Sequence, residues 1–343
     1  MSERKKTKGE PTAKTMDDIA RLAGVSKPTV SRVMSGSTLV NEETKQRVLE
    51  VARHHGYKVN RSAQRLRHNR SNTIALVIDI PSLPGERISQ PFHFELLADV
   101  FKALTAQHQD VLLRSPEADN ADYYQTMIAS KVADGIIFLG QGARTNVLRD
   151  LARTGVPFVA WGAPDEEGLF CTVGSDNFRG GFLAGERLAS LKRTRIIFVG
   201  PLAHGEIALR RQGLEAGLTK SGTRFELQNV EPTDLSYEAT RRAFVAHLDQ
   251  RTDLPDAVFC GGDTIAMAAG SVLRERDIAI PAAVTLIGYD DIPQAAQYVP
   301  SLTTVRQDTS LAATLLAEKV MQKIAGYDPQ SATLPTELIV RQS

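Results

Sequence analysis

The chain has 343 residues, 42% of them apolar, and a formal charge of only +1 at pH 7, enough to build a small head and one or two substantial α/β domains. No apolar run approaches the ~20 residues that span a bilayer, and the basic N-terminal stretch leads into an amphipathic helix pattern instead of an apolar h-region, which argues against a secretory signal. The charge is unevenly divided: residues 1–70 hold 16 Lys and Arg against 7 Asp and Glu, so the remainder is net acidic, the asymmetry expected of a nucleic-acid-binding head on a separate body.

Residues 1–14 carry Arg4, Lys5, Lys6, Lys8 and Lys14 beside Gly9 and Pro11. They read as a disordered basic tail that adds nonspecific attraction to phosphate. A DNA-binding head is expected over 15–58. Ile19, Ala20, Leu22 and Ala23 place small and apolar groups on one face of a first helix that ends at Gly24. Ser26 is positioned to cap a second helix, and Pro28 falls in its first turn, where the missing N–H costs little. Val30, Val33 and Met34 then face the first helix, leaving Lys27, Pro28, Thr29, Ser31 and Arg32 pointing outward. That is the layout of a helix-turn-helix whose second helix enters a major groove. Arg32 can pair bidentately with guanine, and Lys27 can reach a base edge or a phosphate. A third helix, Glu43 to His54, supplies Val48, Leu49, Val51 and Ala52 to close the core.

Residues 59–71 are expected to be a hinge between head and body. Val59 to Arg70 sets cationic and His side chains around only a few apolar ones, a composition too polar to fold alone.

From Asn72 onward, short β-rich runs alternate with helical periodicity, the pattern of parallel sheets flanked by helices. The expected series is strand Ile74–Ile80, helix Phe92–His108, strand Val111–Arg114, helix Ala121–Lys131, strand Gly135–Leu139, helix Asn146–Thr154 and strand Val156–Trp161. A second series begins near Ser175 with helix Phe178–Ser190, strand Arg195–Gly200, helices Ile207–Lys220 and Tyr237–Leu248, strand Ala257–Cys260, helix Thr264–Arg274 and strand Val284–Gly288. Helix Ser310–Ile324 and a strand-like Leu338–Val340 close the chain. The body, 72–343, is thus expected to be two lobes, 72–162 and 175–290, with crossover segments near 162–175, 290–300 and 305–343. Ligands of open α/β sheets bind beyond the carboxyl ends of the strands, so facing lobes would make a cleft.

Cys171 and Cys260 fall in predicted strands without metal-site spacing and read as buried thiols of a reducing cytoplasm. The histidines show no metal-ligand spacing either, so neither metal nor cofactor is expected. There is no Gly-x-x-x-x-Gly-Lys-Ser/Thr run and no Gly-x-Ser-x-Gly elbow, which disfavours an enzyme.

The residues Asp18-Ile-Ala-Arg-Leu-Ala-Gly-Val-Ser-Lys-Pro-Thr-Val-Ser-Arg-Val33, Asn60-Arg-Ser-Ala-Gln-Arg-Leu66, Leu286-Ile-Gly-Tyr-Asp-Asp291 and Leu302-Thr-Thr-Val-Arg-Gln307 together resemble the LacI/GalR family of transcriptional regulators along essentially the full length. The resemblance implies a small all-α head joined to a periplasmic-binding-protein-like α/β effector domain. It implies a cytoplasmic repressor, dimeric through its body, on a pseudo-palindromic operator of double-stranded DNA, controlled by a small effector of the sugar class. Met16, Asp17, Ser26, Lys27, Pro28, Thr29, Ser31, Arg32, Ser35, Thr44 and Asn60 would contact DNA. Ala63 matches the small residue where paired hinge helices approach the groove, and Leu66 the leucine that wedges between base pairs from the minor groove, a step that costs a few kcal/mol of unstacking. Arg61, Arg65 and Arg67 would touch phosphate or groove. The C-terminal helix lacks the leucine heptads that some relatives use to form tetramers, which favours a dimer.

For the effector, Arg210 matches the family's cleft arginine and Asp290 its cleft acid. Gln90-Pro-Phe-His-Phe94 takes the place of a family turn where Phe92 and His93 line the cleft. Trp161 ends a strand facing the same region, and Asp263 starts the helix after Gly261-Gly262. Trp161-Gly162 stands where several sugar-responsive relatives carry an acid. Phe92 and Trp161 could instead sandwich a purine, making a purine-type corepressor the alternative within the family. A solute-binding protein is the alternative outside it, and it should lack the basic head.

Overall fold

The computed structural model describes residues 15–34, 39–57, 70–78, 91–115, 120–142, 145–222, 224–251 and 253–343. The chain divides into two compact units, Met1–Arg70 and Ser71–Ser343. The expected tail, and most of the hinge with Arg61, Arg65, Arg67, Asn60, Ala63 and Leu66, lie outside the described residues, as do Ser35 and Gln90.

The head has three helices, α1 (Met16–Ala23), α2 (Lys27–Met34) and α3 (Glu42–His54). Thr15 and Asp18 form a reciprocal capping box at the start of α1, satisfying two otherwise unpaired N–H groups. Gly24 ends the helix with φ 65°, and the next residue, Val25, donates its N–H to the Ala20 carbonyl. Glycine is the residue that adopts this left-handed cap without a Cβ penalty. Ile19, Ala20, Ala23, Val30, Val33, Val48 and Ala52 form the core of the head. Leu22 and Leu49, expected in that core, are 40% and 37% exposed. Short helices bury a narrow stripe, and both leucines fall on its flank.

The body is built on two six-stranded sheets, each ordered by long crossovers. The first contains β1 (Thr73–Ile78), β2 (Asp110–Arg114), β3 (Gly135–Leu139), β4 (Phe158–Trp161), β5 (Thr172–Ser175) and β11 (Ala332–Leu334), in the order β11-β5-β4-β3-β1-β2, all parallel. Helices α4 (Pro91–Ala106), α5 (Ala121–Ala129) and α6 (Thr145–Arg153) connect its strands. The second sheet runs β12-β10-β9-β8-β6-β7. It is formed by β6 (Arg195–Val199), β7 (Glu226–Val230), β8 (Ala257–Cys260), β9 (Thr285–Asp290), β10 (Thr303–Arg306) and an antiparallel β12 (Glu337–Ile339). Its helices are α7 (Asn177–Ser190), α8 (Gly205–Lys220), α9 (Tyr237–Asp249), α10 (Asp263–Glu275) and the short α11 (Pro293–Gln297). The central strands β1, β3, β4, β5 and β8 are buried along their whole length, as expected for parallel sheets covered on both faces.

The lobes interleave more than the sequence suggests. Strand β5 pairs with β4, so the first crossing falls between Ser175 and Asn177, not at 162–175. The later crossings lie between β10 and α12 (Thr309–Ile324), and between β11 and β12. Helix α12 buries Ala312, Ala313, Leu316, Ala317 and Val320. A Cβ on Gly135 of β3 would come within 2.8 Å of its Ile324, so this helix is part of the first lobe.

Candidate functional site

In the head, the outward row begins at the N-terminus of α2. Thr29 donates its N–H to Ser26 Oγ at 3.4 Å, and the two hydroxyls are 2.8 Å apart. Ser26 therefore caps the helix, which fixes the row while occupying its hydroxyl. Lys27 Nζ lies 2.7 Å from Asp17 Oδ2, with both side chains more than half exposed. Such an exposed pair is worth little. Asn41 caps α3 by accepting from the Thr44 N–H at 2.8 Å. Lys27, Pro28, Thr29 and Arg32 thus sit on one helix beside Asp17 of α1.

In the body, a cleft of about 780 Å³, counting its open mouth, is lined from both lobes. The first lobe contributes Phe92 and His93 from the start of α4, Gln141 after β3 and Trp161 at the end of β4. The second contributes His204, Glu206 and Arg210 from the start of α8, Gly261 and Gly262 after β8, Asp290 at the end of β9 and Gln307 after β10. These are carboxyl ends of parallel strands, where chain reversals leave a crevice.

Arg210 is buried and heavily engaged. Its Nε donates to Asn177 Oδ1 at 2.8 Å, its Nη1 to the Gly261 carbonyl, and its guanidinium lies 3.7 Å from the centre of the Tyr289 ring. Asp290 Oδ1 is 3.9 Å from Arg210 Nη1 and accepts from Gln307 Nε2 at 2.7 Å. Burial pushes the Asp290 carboxyl up to about 6, with Arg210 and then Gln307 pulling it back. Burial also pushes His93 down to about 4, helped by the charges of Arg210 and His204. Its Nδ1 is buried with no hydrogen-bond partner among the described residues.

Trp161, 5% exposed, packs against Phe92 with ring centres 5.9 Å apart and planes tilted by 42°. The rings touch each other. A sandwich needs parallel faces roughly twice the ~3.5 Å aromatic contact distance apart, so no slot for a flat base lies between them.

Asp263 does not reach the cleft. It is fully buried, accepting from Thr304 Oγ1 at 2.6 Å and from the Ile292 N–H at 2.9 Å. Burial first, and the Asp290 charge second, hold its carboxyl well above the usual range. It ties α10 to β10 and to the approach of α11. Gln141, His204, Glu206 and Gln307 were not singled out by sequence, although Gln307 closes one of the motifs quoted above.

Both cysteines are buried and unbridged. Among the described residues, no group of His, Cys, Asp and Glu is placed to hold a metal, and no helix is long and apolar enough to cross a membrane.

Residues 15–60 match the model of bacterial regulatory proteins of the lacI family, and residues 186–343 that of a periplasmic binding protein-like domain. The chain is 31% identical to the HTH-type transcriptional regulator CelR of Thermobifida fusca, over 96% of this chain and 98% of the relative. The chain belongs to the LacI family. It is 29% identical to a sucrose operon repressor of Pediococcus pentosaceus, over 94% of this chain and 97% of that one. A structure titled as a transcriptional regulator CelR–cellobiose complex superimposes with a TM-score of 0.70 at 29% identity, covering 96% of this chain and all of that chain. This LacI-family member is accordingly a DNA-binding transcriptional regulator, and its head and two-lobed body are those anticipated from its motifs.

Proposed function

We propose that the protein is a cytoplasmic homodimeric repressor whose affinity for a pseudo-palindromic operator is set by a sugar or sugar derivative held between the lobes of its body. The observation that carries the effector half is the cleft itself: Arg210 and Asp290 are fixed in place from one lobe, opposite His93 and the Trp161–Phe92 pair of the other. Guanidinium donors and carboxylate acceptors beside an aromatic surface suit a polyhydroxylated ring. The relative whose structure is titled as a cellobiose complex supports the sugar reading. The contact between Phe92 and Trp161 disfavours a purine.

For DNA, the α2 row reads only a few base pairs, so useful specificity needs two heads. Leu66 supplies the minor-groove wedge and Ala63 the close approach of paired hinges. Effector binding shifts the balance between lobe arrangements, and it changes operator affinity only by its differential affinity for them. The test is fluorescence anisotropy of the intact protein on palindromes selected from a random library, at fixed salt, with and without cellobiose, maltose or sucrose. Preference for a palindrome that changes with one sugar is expected. Equal affinity for selected and random duplex, with or without sugar, overturns the proposal.

A further inference from the structure

The polar groups of the cleft fall into two sets. Arg210 and Asp290 already have protein partners. Glu206 and His93 do not: the Glu206 carboxylate has no hydrogen bond or ion pair among the described residues, and His93 Nδ1 is buried without one. They face the cleft from opposite lobes, His93 from the start of α4 and Glu206 from the first turn of α8.

Glu206 also reaches across. A Cβ built on Gly162, at the end of the first lobe's β4, would fall 2.8 Å from Glu206 Oε1 and 2.7 Å from Gln141 Cδ. Gln141 cannot simply swing away, because its Nε2 donates to the Ala163 carbonyl at 2.6 Å. Gly162 has φ 153°, a backbone shape that side chains rarely tolerate. Beside it, a Cβ on Gly205 would lie 3.6 Å from Ala163 Cβ. The first lobe therefore withholds a side chain at 162, and the second lobe fills that space with a carboxylate.

We propose that Glu206, seated over Gly162, is a specificity residue that accepts hydrogen bonds from hydroxyls of the effector and selects uncharged polyhydroxyl ligands over their phosphorylated or carboxylated counterparts. The inference rests on the reading of the cleft as a saccharide-type effector site. Among the described lining residues, Arg210 is already balanced by Asp290, so Glu206 leaves their charges with a negative excess. An anionic ligand group meets two carboxylates in a half-buried space, where like charges repel more strongly than in bulk water. A hydroxyl satisfies Glu206 with a charge-assisted bond and pairs with His93 Nδ1 in either tautomer. One ligand engaging both residues ties the lobes together.

The test is isothermal titration calorimetry of the intact protein at pH 8, where imidazole is neutral. The probes are glucose, cellobiose, maltose and sucrose, the 6-phosphates and uronic or aldonic acids of these sugars, and guanine. The parent is expected to bind a neutral sugar at least roughly 10-fold more tightly than its acidic counterparts, and Glu206→Gln to weaken the neutral sugar by about 10-fold and narrow that discrimination. Glu206→Ala should do the same, with its fold checked by circular dichroism. If the alanine variant does not fold, the isosteric glutamine variant carries the test. A parent that prefers the phosphorylated or acidic sugar, or a glutamine variant that keeps both affinity and discrimination, overturns the inference alone. A parent that binds only guanine, or none of the probes, overturns the saccharide reading and this inference with it.

Discussion

Asp290 couples the stability of the body to pH, and the sign follows from its surroundings. Its carboxyl has an ordinary value of 3.8 and is pushed up to about 6 in the fold, chiefly by burial. A native state that holds this proton more tightly than the unfolded chain is favoured below that window and loses the advantage as pH rises through it. At 1.36 kcal/mol per pKa unit, the contribution of Asp290 declines by about 2 kcal/mol between pH 4.5 and 7. Asp263 shifts in the same direction, chiefly through its own burial and further through the Asp290 charge beside it, so Asp290→Asn removes the Asp290 contribution and only the smaller, charge-driven part of the Asp263 shift. Asp234 and Glu275 are shifted the opposite way, but they are present in parent and variant and cancel in the difference. The assay is urea unfolding at pH 4.5, 5.5, 6.5 and 7.5, followed by the fluorescence of Trp161, the one tryptophan of the chain. It lies buried in the body and therefore reports on that unit alone. Relative to the variant, the parent should lose about 2 kcal/mol across the range. Parallel pH profiles, or a parent that gains stability with pH relative to the variant, would refute the reasoning.

Arg210→Ala leaves Asn177 Oδ1, the Gly261 carbonyl and Asp290 without their cation, and at 2–5 kcal/mol for breaking a buried charged network it should weaken the effector by roughly 100-fold. A titration curve superimposable on the parent's would remove it from the site. Ile19→Ala, at a fully buried position of the head, should cost about 2–5 kcal/mol of head stability. Circular dichroism melts should show the helical head transition moving while Trp161 fluorescence of the body stays put, and a common shift in both would contradict separate folding of the units. Leu66→Ala should lower affinity for the selected palindrome by roughly 10-fold or more, on the few kcal/mol scale of base-step intercalation, with calorimetric sugar binding unchanged. Equal operator affinity at the same salt would count against the wedge.

The head and the alternation of the body could be read from sequence because their signals are local: a cap, a turn glycine and a polar row in the first case, apolar runs separated by helical periods in the second. What escaped depended on distant partners. Strand β7, Glu-Leu-Gln-Asn-Val, is an edge strand with only Val230 buried, so it lacks the apolar run by which central strands announce themselves. Strand β11 has three residues, and it exists by pairing with β5 some 160 positions earlier. Asp263 follows a strand and opens a helix, which locally resembles a cleft residue, but its bonds to Thr304 and to the Ile292 N–H turn it inward. Glu206 has meaning only beside Gly162, which another lobe supplies.

The contact between α7 and α8 has a local sequence signature of its own. Gly181 and Gly185 of α7, and Gly213 and Gly217 of α8, each recur at a spacing of four, which aligns them along one face of a helix. A Cβ on Gly181 would fall 1.9 Å from the Arg210 carbonyl oxygen, and one on Gly213 2.0 Å from that of Phe178. The two helices thus cross backbone to backbone, an approach that only residues without side chains permit. Asn177 lies at the start of α7 and Arg210 on α8, joined by their 2.8 Å bond. A side chain at either crossing glycine would drive the helices apart and pull that bond open. The guanidinium then owes its place over Tyr289 to the glycines at the crossing of its own helix pair, and the cleft arginine and the glycine spacing are parts of one device.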